Sequence, residues 1–147
     1  MANTWTDYGV ERMLKIALHG DSVPTSAKVV LLSTMTGADA DTILASGMTE
    51  VSGGGYGGSV SVAFNNTDLT YQDDETSGGG QPRHDITIAD KVFTASGGDI
   101  TALGAALVMT ESGTDNVWAV FDFGGSVTVT DGGTLTLKDC ELRIAVS

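Results

Sequence analysis

The sequence contains a single cysteine and two prolines, and basic residues are scarce. The one thiol, Cys140, has no partner for an intramolecular disulfide, so stability must come from packing or from assembly. Seven Lys and Arg stand against 19 Asp and Glu, which gives a net charge of -12. This charge is the opposite of what binds phosphate backbones or anionic lipid. We therefore expect neither nucleic acid nor a membrane as a partner.

Long hydrophobic runs are also missing. No apolar stretch reaches the length of a membrane-spanning helix. The chain opens with Met1-Ala2-Asn3-Thr4-Trp5, which lacks the basic and then apolar pattern of a secretory leader. We expect a protein that is made in the cytoplasm and reaches its destination without Sec-type export.

The chain has 147 residues, of which 41% are hydrophobic and 20 are glycine. This length suits one domain, and the glycine content is too high for a helical bundle. One amphipathic helix is predicted at residues 6–19, where Val10, Met13, Leu14 and Ala17 follow the helical repeat. Thr6 or Asp7 is expected to cap its start, and Gly20 stands where a left-handed stop is expected.

The remaining pattern predicts short strands with glycine-rich turns. The fold class indicated is mainly β, an antiparallel β-sandwich or jelly roll of about seven to nine short strands with one N-terminal α-helix. We expect residues 1–24 to form a helical arm and residues 25–147 to form the β-sandwich domain, with an exposed loop at 73–85. The nine predicted strands lie at 27–34, 59–64, 86–88, 91–95, 103–110, 117–123, 126–130, 134–137 and 142–146, and residues 69–71 are expected to extend the region of the second one.

Residues that could carry out catalysis are few. The two histidines, His19 and His84, have no metal-ligand spacing, and no Gly-x-Ser-x-Gly motif is present. The segment 53–58 is rich in glycine, but no Lys-Ser/Thr or helix follows it, which favours a turn over a phosphate loop. The acidic groups Asp39/Asp41 and Asp73-Asp74-Glu75 match no calcium motif. We expect no enzyme, no cofactor and no metal site.

Several segments resemble a family of small virion proteins of tailed bacteriophages. The opening Thr4-Trp5-Thr6-Asp7-Tyr8-Gly9, the helix ending at Gly20 and the strand from Val29 to Thr34 are similar to the start of those proteins. Glu50-Val51-Ser52-Gly53-Gly54-Gly55-Tyr56 resembles the family's most recognisable motif. Family members continue with Ala-Arg, whereas Gly57-Gly58 stands here, so no role of that arginine is carried over.

The likeness extends to the C-terminal strands around Phe93–Ala95, 103–110 and 117–121 and to the final Gly-Gly-Thr-Leu-Thr-Leu. It implies a structural protein located at the capsid surface of a virion and assembled in the host cytoplasm. The expected function is capsid decoration by binding to the major capsid protein, and the family analogy favours a homotrimer. The alternatives are a tail-tip or tail-fibre-associated protein and a carbohydrate- or receptor-binding module. The residues expected at the partner interface are Trp5, Tyr8, Val10, Met13, Leu14 and Tyr56.

Overall fold

The fold is given by a computed structural model, which describes residues 2–35, 48–74 and 83–145. Within those ranges the chain forms eleven strands and one helix, α1 (Asp7–Leu14), which continues as a π-helical turn (Lys15–His19). The strands are β1 (Ala2–Trp5), β2 (Ser26–Met35), β3 (Met48–Glu50), β4 (Val60–Val62), β5 (Leu69–Asp74), β6 (Arg83–Ile88), β7 (Lys91–Thr94), β8 (Ile100–Glu111), β9 (Thr114–Val129), β10 (Thr134–Leu137) and β11 (Cys140–Ala145).

All strand pairs among the described residues are antiparallel. The large sheet has the order β1-β9-β8-β2-β3, and β4 also pairs with β2. Two smaller sheets have the orders β11-β6-β5 and β10-β7. The prediction of a mainly β chain with antiparallel sheets is confirmed. The described sheets are open, and they do not confirm the jelly-roll sandwich.

The centre of the large sheet is buried on both faces. In β2, Val29 and Leu31 join the main hydrophobic cluster, while Val30 and Leu32 join a second cluster on the opposite face. The main cluster also includes Phe93 of the two-stranded sheet and residues of β6 and β11. A strand buried on both faces is selected for continuous apolar residues, which explains the unbroken Val-Val-Leu-Leu run.

The N-terminal segment begins with a strand that the sequence analysis did not predict. Strand β1 pairs with β9, from Ala2 opposite Asp122 to Trp5 opposite Ala119. The expected helical arm is therefore joined to the large sheet by a ladder of backbone hydrogen bonds. Four residues of mixed polarity are too short a run to be recognised as a strand.

The helix begins and ends at the residues that were expected to bound it. Thr6 is the N-cap: its hydroxyl accepts a hydrogen bond from the Gly9 amide at 3.0 Å and donates to the Val117 carbonyl at 2.7 Å. Gly20 adopts the left-handed conformation, with φ of 72°. Because Thr6 is fully buried against β9, the cap attaches the helix to the sheet as well as starting it.

The strands predicted at 117–123 and 126–130 form one strand, β9, so the turn expected between them is wrong. Asp122 lies opposite Gly104 and Val127 lies opposite Ala102, which leaves residues 123–126 opposite Leu103 alone. Gly124, with φ of 75°, supplies the left-handed conformation in this bulge. Two glycines here bend a strand instead of reversing the chain.

Both ends of the segment 73–85, which was expected to be an exposed loop, belong to strands. Strand β5 runs to Asp74 and β6 starts at Arg83, with Asp74 opposite Arg83. Asp85, expected on a solvated loop, is buried. The reason is that antiparallel ladders are held by backbone hydrogen bonds and extend through polar sequence. Residues 75–82 and the Asp39/Asp41 pair lie outside the described residues.

Candidate interaction surface

The outward face of the helix carries an apolar row. Val10, Leu14 and Leu18 are spaced four residues apart, and their exposed fractions are 41%, 55% and 82%. The opposite face, with the buried Gly9, packs on β9. Leu18 lies in the π-helical turn, which is marked by the hydrogen bond from the Gly20 amide to the Lys15 carbonyl. One apolar face of the helix is buried against the sheet, and the other is left as an exposed apolar surface on which a partner can pack.

An open apolar groove runs beside the helix. Its volume is about 470 Å³, and Trp118 of β9 and Met109 of β8 contribute to it from the large sheet. Phe64, which is 52% exposed, and Val23, which is 68% exposed, are its most accessible side chains. The full lining consists of Met13, Ile16, Val23, Pro24, Phe64, Met109 and Trp118.

The loop that carries Phe64 is held by its own hydrogen bonds. The Asn65 side-chain oxygen accepts from the amides of Thr67 and Asp68, both at 2.9 Å. The Asp68 carboxylate accepts from the Ala63 amide at 2.8 Å and from Lys91 Nζ at 2.7 Å. The hydrogen bond from the buried Lys91 holds the pKa of Asp68 below its usual range. These hydrogen bonds order the loop from which the Phe64 ring projects.

A carboxylate at the end of β8 anchors the other wall of the groove. Four donors converge on Glu111: Tyr8 Oη (3.0 Å), Arg12 Nε (2.5 Å), Asn116 Nδ2 (3.1 Å) and Trp118 Nε1 (3.3 Å). Burial alone opposes the charged form, but the hydrogen bonds from Arg12, Trp118 and Tyr8 outweigh it and lower the pKa of Glu111. The helix is thereby fixed to the sheet through two of its own residues.

The six residues expected at an interface separate into two groups. Val10 and Leu14 are exposed on the outward helix face, and Met13 lines the groove. Trp5 and Tyr8 are partly buried against the main core instead. Tyr56 is also partly buried: its ring stacks with Phe93 at a centroid distance of 6.2 Å, and its hydroxyl donates to Glu50 at 2.8 Å. The aromatic members of the predicted set thus contribute to the fold.

Leu18, Val23 and Phe64 are not among the six residues named for the interface, although Leu18 ends the segment from Trp5 to Leu18 that was expected to contact a partner. The four-residue spacing from Val10 to Leu18 was the signal that could have added Leu18. Val23 and Phe64 stand in loops, where no periodic pattern indicates the exposure of a side chain.

The glycine-rich segment at 53–58 forms a turn that packs on a second turn. The Gly55 amide donates to the Asp99 carbonyl at 3.2 Å, and the Gly55 carbonyl accepts from the Ser96 amide at 3.0 Å. A Cβ at Gly55 would lie 1.9 Å from the Gly98 carbonyl oxygen, so only glycine fits. Because the amides of Gly55 and Tyr56 donate within the protein, they do not form a phosphate cradle.

The two histidines and the one cysteine lie on three different elements of the fold. His19 is 81% exposed at the helix end, 3.9 Å from Asp21, and His84 belongs to β6. Cys140 is buried, and burial raises the pKa of its thiol to about 12. Across residues 2–35, 48–74 and 83–145, no three His, Cys, Asp or Glu side chains are grouped to hold a metal ion. Within the same ranges, no helix is long and apolar enough to cross a membrane.

No protein-family model matches this chain, and no curated protein matches it significantly.

Proposed function

We propose that this chain is a structural virion protein of a tailed bacteriophage and serves as a capsid decoration protein that binds the lattice of the major capsid protein. The observation that carries the proposal is the open apolar groove beside the helix. All seven residues that line this groove are apolar, and two of them, Val23 and Phe64, are among the nine large apolar side chains exposed in the described part of the chain. Such a concentration of exposed apolar surface is typical of a protein-binding face.

The groove is held in position before any partner binds. Glu111 fixes the helical wall, and Asp68 fixes the loop that carries Phe64. A surface that is already ordered loses less conformational entropy on binding, so more of the contact energy appears as affinity. The net charge of -12 keeps the protein from associating with packaged DNA. These properties suit a module that docks on a larger assembly.

The N-terminal helix and the segment Glu50–Tyr56 resemble parts of small virion proteins, and this resemblance favours the phage lattice as the partner. The same analogy supports a homotrimer at the capsid surface. The alternative location is the tail, where the same groove would bind a tail-tip or fibre protein.

The copy number of the chain in purified virions of the phage that encodes it tests this proposal. We expect quantitative mass spectrometry to find a ratio near one chain per major capsid protein, or one trimer per threefold position. A handful of copies would assign the chain to the tail, and its absence from the particle would overturn the virion proposal.

Rebinding to capsids stripped of this chain tests the role of the groove. Phe64→Ser should weaken rebinding, because it removes the ring at the rim of the groove. The matched control is Val92→Ser on β7, which removes another exposed apolar side chain (49% exposed) outside the groove lining. Equal binding by the two variants would remove the groove from the proposal.

A second candidate function, binding of a carbohydrate receptor, is favoured by one exposed aromatic ring. Tyr71 on β5 is 61% exposed, and sugars stack on such rings. A glycan array probed with the isolated protein and with Tyr71→Ala tests this candidate. Binding that Tyr71→Ala abolishes would support it, and an array without binding would exclude it.

A further inference from the structure

The outward face of α1 is shaped to accept a partner. A shallow depression of about 250 Å³ lies on this face, lined by Glu11, Leu14, Lys15, Leu18 and His19. None of these residues belongs to the groove described above. We propose that this face binds the same face of a second copy of the chain, with the two helices antiparallel about a two-fold axis at Leu14.

The apolar row has the geometry of a helix contact. Val10 and Leu14 lie about 6 Å apart along the axis of α1, at 1.5 Å per residue, and Leu18 continues the row into the π-helical turn. Side chains four residues apart form the ridges that interdigitate in the commonest class of helix packing. In the antiparallel arrangement Leu14 meets Leu14, and Val10 meets Leu18 of the second copy. The depression beside Leu14 and Leu18 receives the opposing side chain.

The charges beside this row identify the occupant as a second copy. The neighbouring row along the helix is acidic in its first half, with Asp7 and Glu11, and basic in its second half, with Lys15 and His19. A two-fold axis brings the acidic half of one row beside the basic half of the other on the same side of the contact. In a parallel two-fold pair this row would face the flank that carries Met13 and Ala17, and it would not meet its own copy. The row meets itself only in the antiparallel arrangement, where acidic and basic side chains face one another.

Within one copy, Lys15 forms an ion pair with Glu11, and the two side chains are 46% and 50% exposed. Both are free enough of the sheet to exchange partners across the contact. Three apolar side chains cover less than the roughly 800 Å² per partner of a standard interface. We therefore expect a dimer that forms and dissociates with concentration, opposed by the net charge of -12 on each copy. This inference does not depend on the proposed function, and it predicts a two-fold contact where the family analogy implies a trimer.

Sedimentation of the full chain over a concentration series is the first test. We expect the average mass to rise from 15.1 kDa toward twice that value. Leu14→Glu should keep the chain monomeric at all concentrations, because it places two carboxylates at the two-fold axis. The control is Val92→Glu, an exposed apolar residue on β7, which should associate as the wild type does. A wild type that stays monomeric up to millimolar concentration, or two variants that behave alike, would overturn the proposal.

A charge reversal separates contacts between copies from contacts within one copy. Glu11→Lys alone and Lys15→Glu alone should each associate at least several-fold more weakly than the wild type, because each sets like charges against one another across the axis. An equimolar mixture of the two variants should regain association, since every cross-contact then joins opposite charges. Failure of the mixture to recover would show that the pair acts only within its own helix.

Cysteine cross-linking tests whether the two helices of the dimer are antiparallel. Cys140 is buried, so introduced thiols react alone. Leu14→Cys should form a disulfide-linked dimer under mild oxidation, and a mixture of Val10→Cys with Leu18→Cys should cross-link between the two variants. Val92→Cys should remain monomeric. Preferential linkage of Val10→Cys to itself would indicate a parallel pair and contradict the proposal, and so would no cross-linking above the Val92→Cys control.

Discussion

Gly9 lies directly against the backbone of Trp118. A Cβ at Gly9 would stand 2.3 Å from the Trp118 carbonyl oxygen, a distance that no side chain tolerates. The Trp118 carbonyl also accepts a hydrogen bond from the Thr6 amide at 2.9 Å. Helix and sheet are therefore in contact backbone to backbone, and the position of the groove wall depends on the absence of one methyl group.

Gly9→Ala should destabilise the protein, although alanine is the better helix former by about 1 kcal/mol. The new methyl group has to displace backbone, and such overpacking costs roughly 1–3 kcal/mol. Urea unfolding measures the change in free energy. Gly57→Ala is the control, because nothing lies within 4 Å of its Cβ position, and it should be neutral or slightly stabilising. A stabilised Gly9→Ala variant would show that the helix does not pack as closely as described.

The sequence was most informative where local rules act alone. Thr6 caps the start of the helix, and Gly20 ends it in the left-handed conformation. Both were identified from residue type. The run from Val29 to Leu32 predicted a buried strand, because an unbroken series of apolar residues is also a local signal. The glycine pair at 124–125 was misread, because a turn and a bulge use the same residues and only the register of a distant strand distinguishes them.

The candidate surface was predicted in part for a related reason. Val10 and Leu14 follow a helical period, so their place on one face could be deduced. Tyr8 and Tyr56 were expected at the interface with a partner. The Tyr8 hydroxyl instead donates to Glu111, far along the chain, and the Tyr56 hydroxyl donates to Glu50 across a turn. Phe64 depends on a loop held by Asp68 and Lys91, a contact between separate elements that no local pattern encodes.

Glu111→Gln should loosen the attachment of the helix. The substitution keeps the size of the side chain but removes the charge that accepts from Arg12 and Trp118. Hydrogen bonds to a charged group contribute about 1.5–3 kcal/mol, and we expect a loss in that range. Glu11→Gln, which removes the carboxylate of a half-exposed ion pair, is the control and should cost less than about 0.5 kcal/mol. Equal losses in urea unfolding would argue against an anchoring role for Glu111.

Stability should fall on acidification, and Glu111 should account for part of the loss. The pKa values of Glu111 and Asp115 are lowered in the folded state, Glu111 by the hydrogen bonds named above and Asp115 chiefly by Lys28. A lowered folded pKa gives stability that is fully present above the unfolded pKa, near 4, and is lost as the pH falls through the folded pKa. Unfolding measured from pH 7 to pH 2 should therefore show a smaller decline for Glu111→Gln than for the wild type. Parallel curves would contradict the assigned cause.

Tyr56→Phe should lower stability and leave any partner binding unchanged. The Tyr56 hydroxyl accepts from the Leu31 amide at 3.3 Å and donates to Glu50, so its removal leaves a buried amide without that acceptor. Such a loss costs about 1–3 kcal/mol. Burial raises the pKa of Tyr56 above its usual value, so the wild type should also lose stability as the pH rises beyond about 10, and Tyr56→Phe should lose less. Tyr71→Phe, with a ring that is 61% exposed, is the control and should change stability less. Unchanged stability in Tyr56→Phe, together with weakened capsid rebinding, would return Tyr56 to the interface, because a residue that only supports the fold cannot produce that combination.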